Sequence, residues 1–386
     1  MFSQRTSIDT SPNALFVHLT RARLENRALL DLTESNPTRA AIAYDHDEVL
    51  AALSDARSLR YDPAPCGTLS AREAIADDFA AQGIAVGPER IVVTSSTSEA
   101  YAFLFKLLAD PGDEVLVPAP SYPLFEHLAR LESVRAVPYR LAYDGAWTVD
   151  VDSVRAKATG RSRAILVVSP NNPTGSYVKR DEFVALAALG LPLISDEVFA
   201  RYPLRPDASR AASVLEFASA PLVFSLGGLS KLALLPQMKI AWMALSGEPA
   251  RVGAAMERLE IIGDTFLSVG TPAQNALPRW LACRHVAEGA VLGRIQRNLA
   301  AAREASVGSA VSVLDVEGGW YATLRVPKTR SEEEWALDLL DRDDVLVHPG
   351  HFFDFEEEAY LVVSLLAPEA SFVEGMRRIV GRVAKA

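Results

Sequence analysis

The sequence predicts an α/β fold, in which a three-layer large domain surrounds a mostly parallel sheet of about seven strands and a smaller α+β domain is built from both termini. Three observations predict it. Between residues 90 and 246 short apolar runs recur, each followed by turn residues and then a helical pattern, the alternation that yields parallel strands with helices on both faces. Beyond residue 250 the pattern changes to long helices followed by two further strand-like runs. The chain has 386 residues, longer than the roughly 250–300 at which a single hydrophobic core stops growing. The expected division is an N-terminal segment over 1–45 packing with the small domain, a large domain over 46–270 and a small domain over 271–386.

The strand expectations are IVVT at 91–94, EVLVP at 114–118, VRAVPY at 134–139, AILVVS at 164–169, PLISD at 192–196, LVFSL at 222–226 and MKIAWMALS at 238–246. The segments SAREAIADDFAAQ and SEAYAFLFKLLAD repeat apolar residues at helical spacing, as do AAMERLEII and a stretch from about 285 to 306. WYATLRV and YLVVSLL read as strands of the C-terminal unit. No internal repeat or low-complexity segment interrupts this order.

Apolar residues make up 49% and charged residues 23% of the chain, ordinary globular usage, and the net charge is -10. An acidic chain without a broad basic surface argues against nucleic acid or anionic membrane as its main partner. Cys66 and Cys283 stand far apart with no partners at metal spacing, so neither a disulfide framework nor a metal site is expected. The opening MFSQRTSIDTSPNALF lacks the apolar core of a signal peptide, and no run approaches about 18 apolar residues, which makes a cytoplasmic location the default expectation.

Ligands of parallel α/β sheets bind beyond the carboxyl ends of the strands, so the polar residues that follow the apolar runs are read first. TSSTSEA at 94–100 ends a strand and opens a helix, where backbone N–H groups and the hydroxyls of Ser96, Thr97 and Ser98 suit an anion. NNPTG at 171–175, SDEVF at 195–199 and SLGGLSK at 225–231 end three more strands. Each alone has a plainer reading: a helix cap for the serines, a turn for Asn171 to Gly175, a capping Asp196 and a surface Lys231.

As a set, in this order and spacing, the four segments resemble the fold type I pyridoxal-phosphate enzymes, the aspartate aminotransferase superfamily with its class I and II aminotransferases, over nearly the whole chain. The resemblance implies pyridoxal 5'-phosphate as cofactor. It implies that Lys231 carries the cofactor as a Schiff base and shuttles a proton, and that Asp196 keeps the pyridine nitrogen protonated so that the ring acts as an electron sink. Asn172 matches the donor to the phenolic oxygen, Tyr122 of PAPSYP the aromatic stacked on the ring, and Ser96, Thr97, Ser98 and Ser230 the phosphate cradle. Tyr61 of RYDPAPCG resembles the tyrosine that reaches the neighbouring subunit's phosphate, which implies a homodimer.

Four departures qualify the resemblance. Lys239 stands where an arginine usually forks onto the phosphate, which keeps the charge and loses the bidentate geometry. Gly228 replaces a phosphate-binding serine, leaving Ser230 or Ser225 to compensate, and Phe199 replaces a tyrosine that would share the phenolic oxygen. Val362, in YLVVSLL, occupies the place of the arginine that grips the substrate α-carboxylate. Either Arg325, Arg201 or Arg205 takes over that task, or the substrate presents no carboxylate there. Ser35, in TESNPTR, stands where a glycine backbone contact to the same carboxylate is common, and His348 and His351, in HPGHFFDF, lie in the stretch that approaches substrate, though places on the surface or behind the substrate contacts suit them as well.

The activity implied is transfer of an amino group between an amino acid or amine and a 2-oxo acid, by a ping-pong cycle. The alternative is a lyase or decarboxylase using the same electron sink. A ligand-sensing regulator on this fold requires an attached DNA-binding domain, for which about 45 residues before the cofactor domain are too few. A nicotinamide dehydrogenase is disfavoured because no GxGxxG follows a strand.

Overall fold

The computed structural model describes residues 1–217, 221–357 and 359–385. Its centre is an eight-stranded sheet in the spatial order Ile91–Thr94, Ala241–Gly247, Leu222–Gly228, Leu193–Asp196, Ser162–Val168, Glu114–Ala119, Arg135–Tyr143 and Trp147–Val149. Pairing is parallel from Leu222–Gly228 through Arg135–Tyr143, while Ala241–Gly247 runs antiparallel to both of its neighbours. The seven expected strands are all present. The eighth, Trp147–Val149, is an antiparallel edge strand of three residues. Its signal in the sequence is the turn Asp144–Gly145, with Gly145 at φ 72°, rather than an apolar run.

Successive side chains of a strand point to opposite faces, and here each face has its own core. Ile91, Val93, Leu116, Ile165, Val167, Leu193 and Val223 pack on one side with the helices Leu69–Ala80 and Thr271–Cys283. Val92, Val115, Val117, Leu166, Ile194, Phe224 and Leu226 pack on the other with Thr97–Leu108 and Pro249–Phe266. The helix Thr271–Cys283 buries Ala276, Leu277, Trp280 and Leu281 in this large-sheet core, whereas the expected division assigns it to the C-terminal unit. Packing partner, not position along the chain, decides its membership.

A second core surrounds a four-stranded antiparallel sheet in the order Ser312–Val313, Tyr321–Arg325, Tyr360–Ser364, His348–Pro349. The helices His285–Ser306, Glu332–Asp343 and Glu369–Val383 cover it. N-terminal residues join the same core: Leu30–Asp31 pairs in parallel with Val345–Leu346, and Leu15, Leu32, Ala40 and Ile42 are buried among its side chains. Leu32 sits against Gly375, where an added Cβ would come within 2.7 Å of the leucine Cδ1. Among the described residues no helix is long and apolar enough to cross a membrane.

The two units meet beside the loop of Asn171 to Gly175. Gly175 has φ 71°, and a Cβ on it would lie 2.7 Å from the Gly318 carbonyl oxygen. Around this backbone contact Glu317 receives Lys179 Nζ at 2.5 Å and the Tyr177 N–H at 2.8 Å, and Asp315 receives Arg205 at 2.6 Å.

Because Leu32 is fully buried, Leu32→Ala is expected to cost about 2–5 kcal/mol of unfolding free energy, as transfer and cavity terms add. Urea unfolding checks this, and a loss below about 1 kcal/mol would remove the N-terminal segment from the C-terminal core.

Candidate active site

In-register pairing brings Val168, Asp196 and Leu226 side by side at the carboxyl ends of three adjacent strands, and the segments that follow them supply the site. Lys231 lies in the short helix Leu229–Leu232 just after Leu222–Gly228, where Tyr202 Oη donates to its carbonyl at 2.6 Å. Its Nζ is 5.0 Å from the ring centre of Trp320 and 5.5 Å from that of Phe199. Burial disfavours the ammonium more than the nearby Asp196 charge favours it, and the pKa falls to about 8. Neutral amine is therefore present at pH values where an ordinary lysine has almost none.

Asp196 is buried at the last position of its strand. Tyr101 Oη donates to Oδ2 at 2.8 Å and the Val198 N–H to Oδ1 at 3.2 Å. Burial raises its pKa, while those two donors and the Lys231 charge oppose the rise. Tyr122 lies within electrostatic reach of the same carboxylate, and its phenol is raised first by burial and then by that charge. Lys231, Asp196, Tyr122 and Phe199 thus form one cluster. Phe199 only packs, edge-on to Trp320 at 5.2 Å and Tyr321 at 6.3 Å.

The paired asparagines divide their work. Asn171 is committed to structure, accepting from Ser121 Oγ at 2.7 Å and donating to the Pro120 carbonyl at 3.0 Å and Thr174 Oγ1 at 2.9 Å. Asn172 is also buried, yet its Oδ1 has no hydrogen-bond partner among the described residues. Such an orphan is costly unless a ligand answers it.

The helix Thr97–Leu108 begins at the end of Ile91–Thr94 because Ser96 caps it, accepting the Glu99 N–H at 3.1 Å. Thr97 and Ser98 are half-buried in its first turn, where the unpaired backbone N–H groups and the dipole favour an anion. Glu99 is engaged by the Ser95 N–H and Ser268 Oγ, both at 2.7 Å. Ser230 is half-buried beside Lys231, and Lys239 is exposed in a left-handed turn (φ 52°) just ahead of Ala241–Gly247. Gly228 has a spatial cause: a Cβ there would lie 2.9 Å from Ala241 Cβ on the neighbouring strand, so a serine would crowd the sheet. Ser225, the other candidate to compensate for that glycine, is turned to Glu197, donating at 2.6 Å.

The residues nominated for the substrate scatter more widely. The Ser35 hydroxyl bonds Tyr321, whose pKa is pushed up to about 12 by burial, so Ser35 belongs to the site's wall. Val362 is fully buried and paired with Thr323 and His348. The cations suggested in its place do not assemble here. Arg201 pairs with Glu288 at 3.3 Å and Arg205 with Asp315, while Arg325 is exposed at the far end of the strand that begins with Tyr321. His351 is largely exposed and stacks edge-on against Phe352, with its backbone N–H held by Glu332 at 2.5 Å. His348 is mostly buried, which lowers its pKa. Tyr61 is 78% exposed.

Tyr101, Trp320 and Tyr321 escaped the sequence reading. The first looked like one more apolar residue of an amphipathic helix and the others like strand residues. Their usable signal is a polar tip on a buried aromatic, which requires a partner. Among the described residues no group of three or more His, Cys, Asp or Glu side chains could hold a metal ion.

The Lys231 ionisation has a direct consequence. Acylation of Lys231 in the cofactor-free protein is expected to rise through a midpoint near pH 8. Asp196→Asn moves that midpoint down, because the carboxylate charge favours the ammonium. Peptide mapping across a pH series measures both, and a midpoint above 10, the ordinary lysine range, would contradict the desolvated environment.

The Asn172 side chain, whose amide N–H groups make no hydrogen bond with a described residue and are free to donate, the helix N-terminus and the Lys231–Asp196 pair fit the cofactor that the sequence resemblance implies. The family model described as aminotransferase class I and II matches residues 28–369. The chain is 29% identical over 355 residues to the glutamate-pyruvate aminotransferase AlaA of Escherichia coli K12, covering 87% of this chain and 85% of the relative. It is also 29% identical over 269 residues to an S-alkyl-thiohydroximate lyase of Arabidopsis thaliana, covering 66% of this chain and 56% of that protein. Its fold matches that of an alanine aminotransferase from Pyrococcus furiosus with TM-score 0.90 and 23% identity over 100% of both chains. A match that runs through both sheets and every segment of the site shows that this chain belongs to the class I and II aminotransferases, a family of pyridoxal-phosphate enzymes.

Proposed function

We propose that this aminotransferase carries pyridoxal phosphate on Lys231 and moves an amino group from an amino donor to a 2-oxo acid in two successive half-reactions. The observation that carries the proposal is the pairing of a partly neutral amine at Lys231 with a buried carboxylate at Asp196 on adjacent strand ends. When bound, the cofactor supplies a protonated pyridine ring that accepts the electron pair released at the substrate carbon. Asp196 would hold the proton on the ring nitrogen, and Lys231 Nζ, with its pKa lowered to about 8, would take and return a proton at that carbon. The Asn172 amide would donate to the phenolic oxygen, Tyr122 would pack against the ring, and Thr97, Ser98, Ser230 and Lys239 would hold the phosphate. Tyr61, exposed here, would reach the phosphate in a second copy, which would make the working form a homodimer.

Borohydride reduction followed by digestion is expected to place the cofactor on Lys231, and Lys231→Ala to abolish both attachment and turnover. Asp196→Asn retains cofactor and loses roughly tenfold to a hundredfold in half-reaction rate, the scale of a hydrogen bond to a charged group. Cofactor found on another lysine, or near-normal turnover of Asp196→Asn, rejects these assignments.

Relatives that act on glutamate and pyruvate make α-amino acids the first donors to consider, yet Val362 cannot bind a carboxylate. One cation lies nearby in sequence to the site wall: Arg39, four residues after Ser35, is exposed, and while its backbone N–H donates to the Asn36 carbonyl at 2.9 Å, its guanidinium has no hydrogen bond or ion pair with a described residue. A bidentate arginine contributes charge-assisted bonds that an apolar wall lacks. In the half-reaction followed by cofactor absorbance, glutamate or alanine is expected to be preferred over its decarboxylated amine. Arg39→Ala should weaken the acid roughly tenfold or more and leave the amine unaffected, whereas Arg325→Ala leaves both unchanged. Equal use of acid and amine makes the donor an amine without a neighbouring carboxylate, and elimination without formation of the aminated cofactor points to lyase chemistry.

A further inference from the structure

We propose that Tyr101 is a positioning residue for the reaction, its hydroxyl fixing the Asp196 carboxylate in the orientation and ionised state that a cationic ring nitrogen needs. The inference rests on the role given to Asp196 above. Tyr101 is the fifth residue of the helix Thr97–Leu108 and is almost fully buried. Side chains on a helix lean toward its N-terminus, and here that direction leads to the strand ends, with Oη 2.8 Å from Asp196 Oδ2. The ring is held edge-on by Phe125 at 5.5 Å and flanked by Phe105 at 6.1 Å. The hydroxyl has little freedom to turn elsewhere.

An ionised carboxylate offers about two acceptor positions on each oxygen. Tyr101 takes one on Oδ2 and the Val198 N–H takes one on Oδ1, leaving one on each for a ligand donor. Without Tyr101 the buried carboxylate keeps a single direct donor, and the groups left to favour its charge are Val198 and Lys231. Tyr122 carries no positive charge to replace it. Tyr101 cannot switch roles, because burial and the Asp196 charge keep its phenol protonated and donating.

Tyr101→Phe keeps the ring and removes only the donor, and Phe105→Leu disturbs the same packing without touching Asp196. Apo-protein is titrated with pyridoxal phosphate, and the reconstituted enzymes are followed through one half-reaction across a pH series. Tyr101→Phe is expected to weaken cofactor binding roughly tenfold. It should lower the half-reaction rate constant more than substrate affinity, and move the acid limb of the profile to higher pH, since a carboxylate that has lost a donor protonates more easily. Phe105→Leu should move neither the cofactor dissociation constant nor the acid limb. If Tyr101→Phe matches the parent in both, Tyr101 is only a packed aromatic and the inference is wrong. An equal shift with Phe105→Leu overturns it too, because packing would then account for the effect. Asp196→Asn separates the two claims: impairment there with an unaltered Tyr101→Phe defeats this inference alone, while a normal Asp196→Asn removes the role on which it rests.

Discussion

The site depends on a backbone approach that tolerates no side chain. Gly175 and Gly318 meet where a Cβ on the first would lie 2.7 Å from the carbonyl oxygen of the second, and the Gly318 N–H donates to the Gly175 carbonyl at 2.9 Å. This contact, braced by Glu317 between Lys179 and the Tyr177 N–H, seats the small sheet on the carboxyl ends of the large one. Gly319, Trp320 and Tyr321 follow at once, which puts Trp320 5.0 Å from Lys231. A methyl group at either glycine would therefore displace the aromatic wall around the amine, although neither residue touches it.

Within that wall the electrostatics are a balance of two opposing effects. Desolvation pushes Lys231 and Asp196 toward their neutral forms, and their mutual attraction pushes both back. For both groups desolvation wins: the Lys231 pKa falls to about 8 and that of Asp196 rises. Asp196 has the additional help of the Tyr101 hydroxyl and the Val198 N–H. The same pocket can thus keep an amine partly free of its proton and a carboxylate available to a cation a short distance away, a separation of acid and base character that burial alone would not produce.

The substrate side of the site is built differently. Val362 lies in a row with Thr323 and His348 across three strands of the small sheet, and both flanking strand residues are buried or mostly buried. The arginines that sequence spacing suggests are neutralised by Glu288, Asp315 and Glu317 or point into solvent. The N-terminal loop is tied to the wall at Ser35 and, through the Glu34 carbonyl, to Ser364 Oγ at 2.7 Å.

Much of this was legible in the linear order of residues. Strands buried on both faces show as apolar runs, and the residues just beyond them are at the ligand-binding edge by topology, so Asp196, Asn172, Lys231 and the Ser96–Ser98 turn could be singled out before any coordinates were known. The short edge strand Trp147–Val149 and the allegiance of Thr271–Cys283 were not legible, because three residues carry too little periodicity and a helix's stripe does not name its partner. The sequence alone determined the alternating architecture, the family resemblance and the placement of polar residues at the strand ends, all of which depend on local pattern and spacing. Only the tertiary structure decided that Tyr101 meets Asp196, 95 positions away in sequence, that Trp320 and Phe199 flank Lys231, that Arg201 and Arg205 are engaged by carboxylates and that Arg325 is exposed. Those facts depend on which side chains converge in space, and hydrogen bonds and desolvation act through distance, not through sequence separation.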